Sequence, residues 1–134
     1  MLRPTILALI MLAAPFGSLA DTNHGIVPAG RIYVVDGDTI RISDTTYRLV
    51  GFDTPETWKP QCEYEEALGN AATDRLKSLL DASLRVELVV LPGRDRYDRS
   101  LARLLIDGQD VGAILISERL ARPYENGPRQ GWCG

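Results

Sequence analysis

The 134-residue chain is the size of one domain, with room for one hydrophobic core. Its formal net charge of −3 argues against a surface that wraps polyanions at large, yet its arginines are bunched, with Arg94, Arg96, Arg99 and Arg103 close together and Arg119, Arg122 and Arg129 near the end. A single histidine, two distant cysteines and no Gly-rich loop ahead of a Lys exclude zinc clusters, Ser/His or Cys/His nucleophiles and P-loop chemistry, leaving carboxylates, arginines, hydroxyls and a metal ion.

At the start, Met1-Leu2-Arg3 is basic, Thr5–Leu12 is apolar, and Ser18-Leu19-Ala20 offers small residues for cleavage ahead of polar Asp21-Thr22-Asn23. This predicts a secretory signal peptide over 1–20, and so a secreted or periplasmic protein with no membrane attachment after cleavage. A retained anchor is the competing reading, but the apolar run is short for a span. Residues 21–29 read as a flexible N-terminus in which His24 has no role, and 30–134 as the folded domain.

Gly30–Val35 reads as the first strand. Asp36-Gly37-Asp38 follows as a turn signal, with Gly37 expected to supply a positive φ. Thr39–Ser43 and Thr46–Phe52 are strand-like runs joined at Asp44-Thr45, with Asp38, Asp53 and Glu56 at their ends and Arg48 inside the second. A paired hairpin brings such ends together, so several carboxylates and a guanidinium are expected to face one small space. Carboxylate oxygens suit a hard cation such as Ca²⁺, and the planar fork of arginine suits two phosphate oxygens. A cation beside a phosphate clamp points to phosphodiester chemistry, although Thr54-Pro55-Glu56 taken alone is equally an ordinary helix start.

Trp58–Cys62 is irregular around Pro60. From Tyr64 to Leu80, apolar Tyr64, Leu68, Ala71, Ala72, Leu76, Leu79 and Leu80 recur in steps of three and four, which predicts a helix with that face inward. Arg85–Leu91 and Leu101–Ile106 read as strands flanking Pro92-Gly93 and the turn Arg94-Asp95-Arg96-Tyr97-Asp98-Arg99. Val111, Ile114 and Leu115 mark a short second helix, and the aperiodic stretch from Arg122 reads as coil, with the main site expected on the barrel and the arginine turn rather than on this tail. Cys62 and Cys133, exported together, are expected to be bridged; closing roughly 70 residues contributes about 4 kcal/mol in the chain-entropy model. Five strands with a helix between the third and fourth suggest a mainly β (α+β) fold, whether a Greek-key barrel of the OB type, an SH3-like barrel or an open sheet.

Three runs, Asp36-Gly37-Asp38-Thr39, then Tyr47-Arg48-Leu49 with Asp53-Thr54-Pro55-Glu56-Thr57, then Asp95-Arg96-Tyr97-Asp98-Arg99, stand in the order found in the thermonuclease (staphylococcal nuclease-like) family. From about Gly30 to Ala121 the sequence resembles that family. The resemblance selects the five-stranded OB-fold barrel with two helices. It implies a hydrolase: a Ca²⁺-dependent nuclease, read as a monomer, that cuts DNA and RNA in single-stranded or locally unpaired regions and leaves 3′-phosphate ends. It implies Asp38 and Asp53 as Ca²⁺ ligands with the Thr54 carbonyl as a third, Arg48 and Arg99 on the scissile phosphate, and Glu56 orienting or deprotonating the attacking water. Arg96, Tyr97 and Tyr124 become candidate substrate contacts, with core packing the competing reading for both tyrosines. Asp36 is equally a turn residue or a group behind the metal ligands.

Three departures accompany the resemblance. Asp98 stands where the family commonly has Gly; Asp tolerates the left-handed region, but its carboxylate is free to pair with Arg99 and weaken it. Arg119 stands where the family usually has a Gly cap. Coil rather than the family's long C-terminal helix follows the second helix, and the Cys62–Cys133 bridge is the candidate replacement for its clamping role. Two alternatives stay open: a non-catalytic OB-fold module of the cell envelope that binds nucleic acid, and a structural or inhibitory envelope protein with no such affinity.

Overall fold

A computed structural model describes residues 24–134, so the expected signal peptide over 1–20 lies outside the described residues. The strands are β1 (His24–Ile26), β2 (Ile32–Asp36), β3 (Thr39–Ile42), β4 (Thr45–Leu49), β5 (Gly51–Asp53), β6 (Val86–Arg94), β7 (Ser100–Ile106), β8 (Gln109–Asp110) and β9 (Arg122–Tyr124). Helix α1 (Glu63–Asp81) lies between β5 and β6, and α2 (Val111–Ser117) between β8 and β9. The main sheet runs β1-β6-β7-β4-β3-β2 with β8 on β7, while β5 and β9 form a separate pair. Only the β4–β7 pairing in it is parallel. The fold is mixed α+β and OB-like, but the barrel is not closed, since the end strands β1 and β2 do not pair with each other. Among the described residues no helix is long and apolar enough to cross a membrane.

The run read as one strand over Thr46–Phe52 is two strands. Gly51 has φ +92°, a conformation open to glycine, and it turns the chain so that β4 stays in the main sheet while β5 leaves to meet β9. The core lies under both pieces: Ile40, Leu49, Phe52, Leu76, Leu104 and Leu115 are fully buried.

Three other expectations are corrected. The described part of 21–29 is not a loose end, because β1 pairs antiparallel with β6 and His24 bonds Glu87. The segment from Arg122 is not all coil: β9 pairs with β5, setting Tyr124 opposite Gly51 and Arg122 opposite Asp53. Helix α1 buries Ala72, Leu76 and Leu80 as expected, with Leu68 and Leu79 half-buried, but its inward face is shifted to take in Glu65, Gly69 and Thr73, while Tyr64 and Ala71 are exposed. The reason is proximity to a loop. A Cβ on Gly69 would stand 2.7 Å from the Pro55 carbonyl oxygen, so the helix rests directly on the Pro55–Glu56 backbone.

Both ends of α2 are capped, the C-terminal one with Arg119 in the place of a Gly. Asp110 accepts from the N–H groups of Gly112 (2.8 Å) and Ala113 (3.2 Å), and Arg119 at φ +62° lets the Leu120 N–H reach the Leu115 carbonyl at 2.9 Å. Cys62 and Cys133 are disulfide-bonded, with Cα atoms 6.1 Å apart, which ties the C-terminal segment to the start of α1.

Candidate active site

The turn between β2 and β3 places the first carboxylates. Gly37 does not adopt the expected positive φ; it is needed because a Cβ there would stand 2.7 Å from Thr54 Cγ2 and 3.0 Å from Ala72 Cβ. Close packing of the turn against Thr54 lets buried Asp38 accept from the Thr54 N–H at 3.0 Å and from Thr39 Oγ1 at 3.1 Å. Asp36 accepts from the Asp38 N–H at 3.1 Å, as a turn residue does, and its carboxyl also stands close to that of Asp38, so it answers to both of its readings.

Arg48, in β4, is buried beneath the acids. Its Nη2 lies 3.3 Å from Asp38 Oδ2 and 3.4 Å from Asp53 Oδ1, and donates to the Phe52 carbonyl at 3.0 Å. Its Nη1 donates to the carbonyls of Leu49 and Asp38. Asp53 is buried at the end of β5, and its second oxygen accepts no hydrogen bond from the described residues. The acids crowd one another. Burial, with the Asp38 charge behind it, pushes Asp36 up to about 7. Burial, partly offset by the Arg129 and Arg48 guanidiniums, pushes Asp53 up to about 6.

The arginine turn reaches this cluster through a hydroxyl. Asp95 accepts from the N–H groups of Tyr97 and Arg99 at 2.9 Å each, and its Oδ2 pairs with Arg99 Nε at 2.6 Å. Burial pushes the Asp95 carboxyl up, but these donors outweigh it and hold it below the usual range. Arg99 Nη1 then donates to Thr39 Oγ1 at 3.3 Å, and Thr39 in turn donates to Asp38. Asp98 adopts the left-handed region at φ +61°, and it pairs with Arg94 at 3.6 Å rather than with Arg99. Tyr97 is 63 % exposed, so it is not a core residue, and Arg96 donates to its hydroxyl at 2.7 Å. Tyr124, half-buried on β9, donates to the Gly127 carbonyl at 2.8 Å. Both tyrosines line a cleft of about 770 Å³ together with Arg48, Arg96, Arg99 and Arg129.

Glu56 is held from an unexpected direction. Arg129 Nη1 lies 2.8 Å from Glu56 Oε1, and Arg129 Nε lies 3.6 Å from Asp53 Oδ1. Burial works to lower the Arg129 pKa, but Asp53, Asp38 and Glu56 outweigh it and raise it. The C-terminal segment therefore enters the site, contrary to the expectation that it lies outside. Sequence reasoning also missed Thr39 and Asp95 as connecting residues, although both stand inside the quoted runs. For Arg129 the one available signal was Cys133, four residues on.

The donor set fits a hard cation. Asp38 and Asp53 are buried carboxylates facing one nitrogen, one Asp53 oxygen is uncommitted, and Thr54 Oγ1 beside them is buried without a partner. Three carboxylates do not converge: among the described residues the one trio of ligand atoms within 4.8 Å is Cys62, Glu65 and Cys133, whose sulfurs are bonded to each other. Any ion at the acids would complete its shell with backbone oxygen, water or substrate.

The model of the family described as staphylococcal nuclease homologue matches residues 46–131. The SPbeta prophage-derived endonuclease YokF of Bacillus subtilis (strain 168) is 39% identical over 93 residues, covering 66% of this chain and 31% of that protein. The endonuclease YncB of the same strain is 38% identical over 93 residues, covering 66% of this chain and 44% of YncB. A thermonuclease of Staphylococcus hyicus is 33% identical over 115 residues, covering 82% of this chain and 67% of that protein. The chain thus spans less than half the length of the two Bacillus relatives.

Proposed function

The chain belongs to the staphylococcal nuclease family, and from that premise we propose that it is a metal-dependent endonuclease hydrolysing phosphodiester bonds of DNA and RNA. One observation carries the reading: two buried carboxylates, Asp38 and Asp53, share the Arg48 Nη2, and Arg99 joins them through Thr39. A structural ion pair needs one acid for one base; here two buried acids share one arginine, and that arginine lines the cleft.

In this site the scissile phosphate sits between the acids and Arg99. Arg99 already spends Nε on Asp95 and Nη1 on Thr39, which fixes its plane and leaves Nη2 for a phosphoryl oxygen. Glu56, at the edge, holds the water whose oxygen bonds to phosphorus as the bond to the 5′-oxygen breaks, leaving a 3′-phosphate. A Ca²⁺ held by Asp38, Asp53 and the Thr54 carbonyl would supply positive charge at the phosphoryl oxygens. A preorganised donor at such a centre is typically worth about 3 kcal/mol.

Exposed Tyr97, on the cleft, offers a ring for a base to stack on, which favours single-stranded or locally unpaired substrate. The leader-like pattern over 1–20 and the disulfide support a secreted or periplasmic location. The test is residues 21–134 incubated with plasmid DNA and with RNA, in Ca²⁺ and in chelator. Cleavage in Ca²⁺ alone is the expected result. Binding without cleavage would make the chain a non-catalytic OB-fold module, and neither would leave a structural protein.

A further inference from the structure

We propose that Arg129 is a third substrate-contacting arginine of this site, presented to the phosphodiester by a strap anchored at β9 and at the Cys62–Cys133 bridge; the proposal rests on the nuclease reading above.

The strap is built. At one end β9 pairs with β5, whose last residue is Asp53. At the other, Cys133 is bonded to Cys62, six residues beyond Glu56. Between them Arg122 donates to Gln130 Oε1 (3.3 Å) and to the Gly131 carbonyl (3.2 Å), and lies over the Trp132 ring at 3.4 Å. Tyr124 holds the Gly127 carbonyl and stands under the Arg129 guanidinium at 5.9 Å. Both ends are thus fixed to segments that carry site carboxylates, and Arg129 is the cation the strap delivers between them.

Donor arithmetic separates this arginine from the one below it. Arg48 is buried, and its two terminal nitrogens face five protein acceptors, the carbonyls of Asp38, Leu49 and Phe52 and the carboxylates of Asp38 and Asp53. Arg129 is 39 % exposed and makes one hydrogen bond among the described residues, to Glu56. Its Nη2 has no protein acceptor there, and it borders the same cleft as Arg99 and Tyr97. Arg48 meets the acids from the protein interior, whereas Arg129 meets Asp53 and Glu56 from the solvent side, where substrate would enter. Arg129 helps to neutralise buried Asp53 at 3.6 Å, but its closer contact, with exposed Glu56, contributes little to stability.

The experiment is binding of a fluorescent single-stranded DNA dodecamer in chelator, where no turnover intervenes, across a salt series. Wild type, Arg129→Ala and Arg129→Lys are compared, with thermal midpoints as a fold check. Loss of one phosphate contact should weaken binding about tenfold and lower the slope of log affinity against log salt by about 0.7 for Arg129→Ala. Arg129→Lys should keep the slope, because it keeps the charge. An unchanged slope in Arg129→Ala overturns the proposal. Cleavage by wild type in Ca²⁺, measured in parallel, tells the two failures apart. Wild type that cleaves while Arg129→Ala binds with an unaltered slope sinks this inference alone; wild type that neither binds nor cleaves sinks it together with the nuclease reading.

Discussion

The Thr54 backbone N–H donates to Asp38 Oδ2 at 3.0 Å, joining the β2–β3 turn to the end of β5 across sixteen residues. Asp38 therefore has two duties, a structural acceptor and a charge. Asp38→Asn separates them, since an amide oxygen still accepts from Thr54 and its NH₂ can donate to Thr39. The variant should fold with a thermal midpoint close to wild type, bind Ca²⁺ far more weakly by calorimetry and turn over at least about a hundredfold more slowly. Unchanged Ca²⁺ affinity would move the metal elsewhere.

Arg48 and Arg99 should fail differently. Arg99→Ala removes a partly exposed guanidinium whose ionic partner, Asp95, keeps its two backbone N–H donors, so turnover should fall about a hundredfold or more with the fold intact. Arg48→Ala strips the buried carboxylates of Asp38 and Asp53 of their counter-charge. Removing one partner of a buried pair costs about 3–5 kcal/mol, so this variant should lose stability as well as activity. Equal thermal midpoints for the two variants would mean that Arg48 is not the structural cation of the site.

The crowded acids make the metal-free protein pH-sensitive. Asp36 and Asp53 titrate in the folded chain at about 7 and about 6, above their ordinary 3.8, because burial disfavours their charge. For groups raised on folding, the stabilisation is complete below the unfolded value and is lost as pH rises through the folded one. In chelator the thermal midpoint should therefore fall between pH 5 and pH 8, and Ca²⁺ should flatten that fall by neutralising the ionised acids. Asp36→Asn should remove the part of the fall near pH 7. A midpoint in chelator that rises over this window would contradict the placement of the acids.

Local signals in the sequence reached the motif residues and most elements, because β3, α1 and β7 are written in alternation or in steps of three and four. What they missed was set by contacts at long range. Gly51 looks like one residue in a β-branched run, and only its φ of +92° separates β4 from β5. The inward face of α1 includes Glu65 and Gly69, which no apolar pattern selects; Gly69 is there because the Pro55 carbonyl passes 2.7 Å from where its Cβ would be, and Glu65 Oε2 lies 3.5 Å from Cys133 Sγ. β9 is three residues long and contains Pro123, too short to register as a strand without its partner β5. Arg129 meets Glu56 across 73 residues of sequence, a pairing that periodicity does not encode.

That long-range contact changes what the disulfide is expected to do. With the tail outside the site, breaking the bridge would touch stability alone: roughly 4 kcal/mol of chain entropy for a loop of this length, and so a midpoint lower by several degrees. The strap adds a second consequence, because Arg129 stands four residues before Cys133 and the bridge is the nearer of its two anchors. A Cys62→Ser/Cys133→Ser protein should bind the single-stranded dodecamer more weakly, measured well below its lowered midpoint. Adding Arg129→Ala to that protein should then weaken binding much less than it does in wild type, since residues acting through one element are not additive. Full additivity would place Arg129 correctly without the bridge, held by β9 and by Glu56 alone. Unchanged affinity in the bridge-free protein, beside a lowered midpoint, would reduce the disulfide to a staple for the fold.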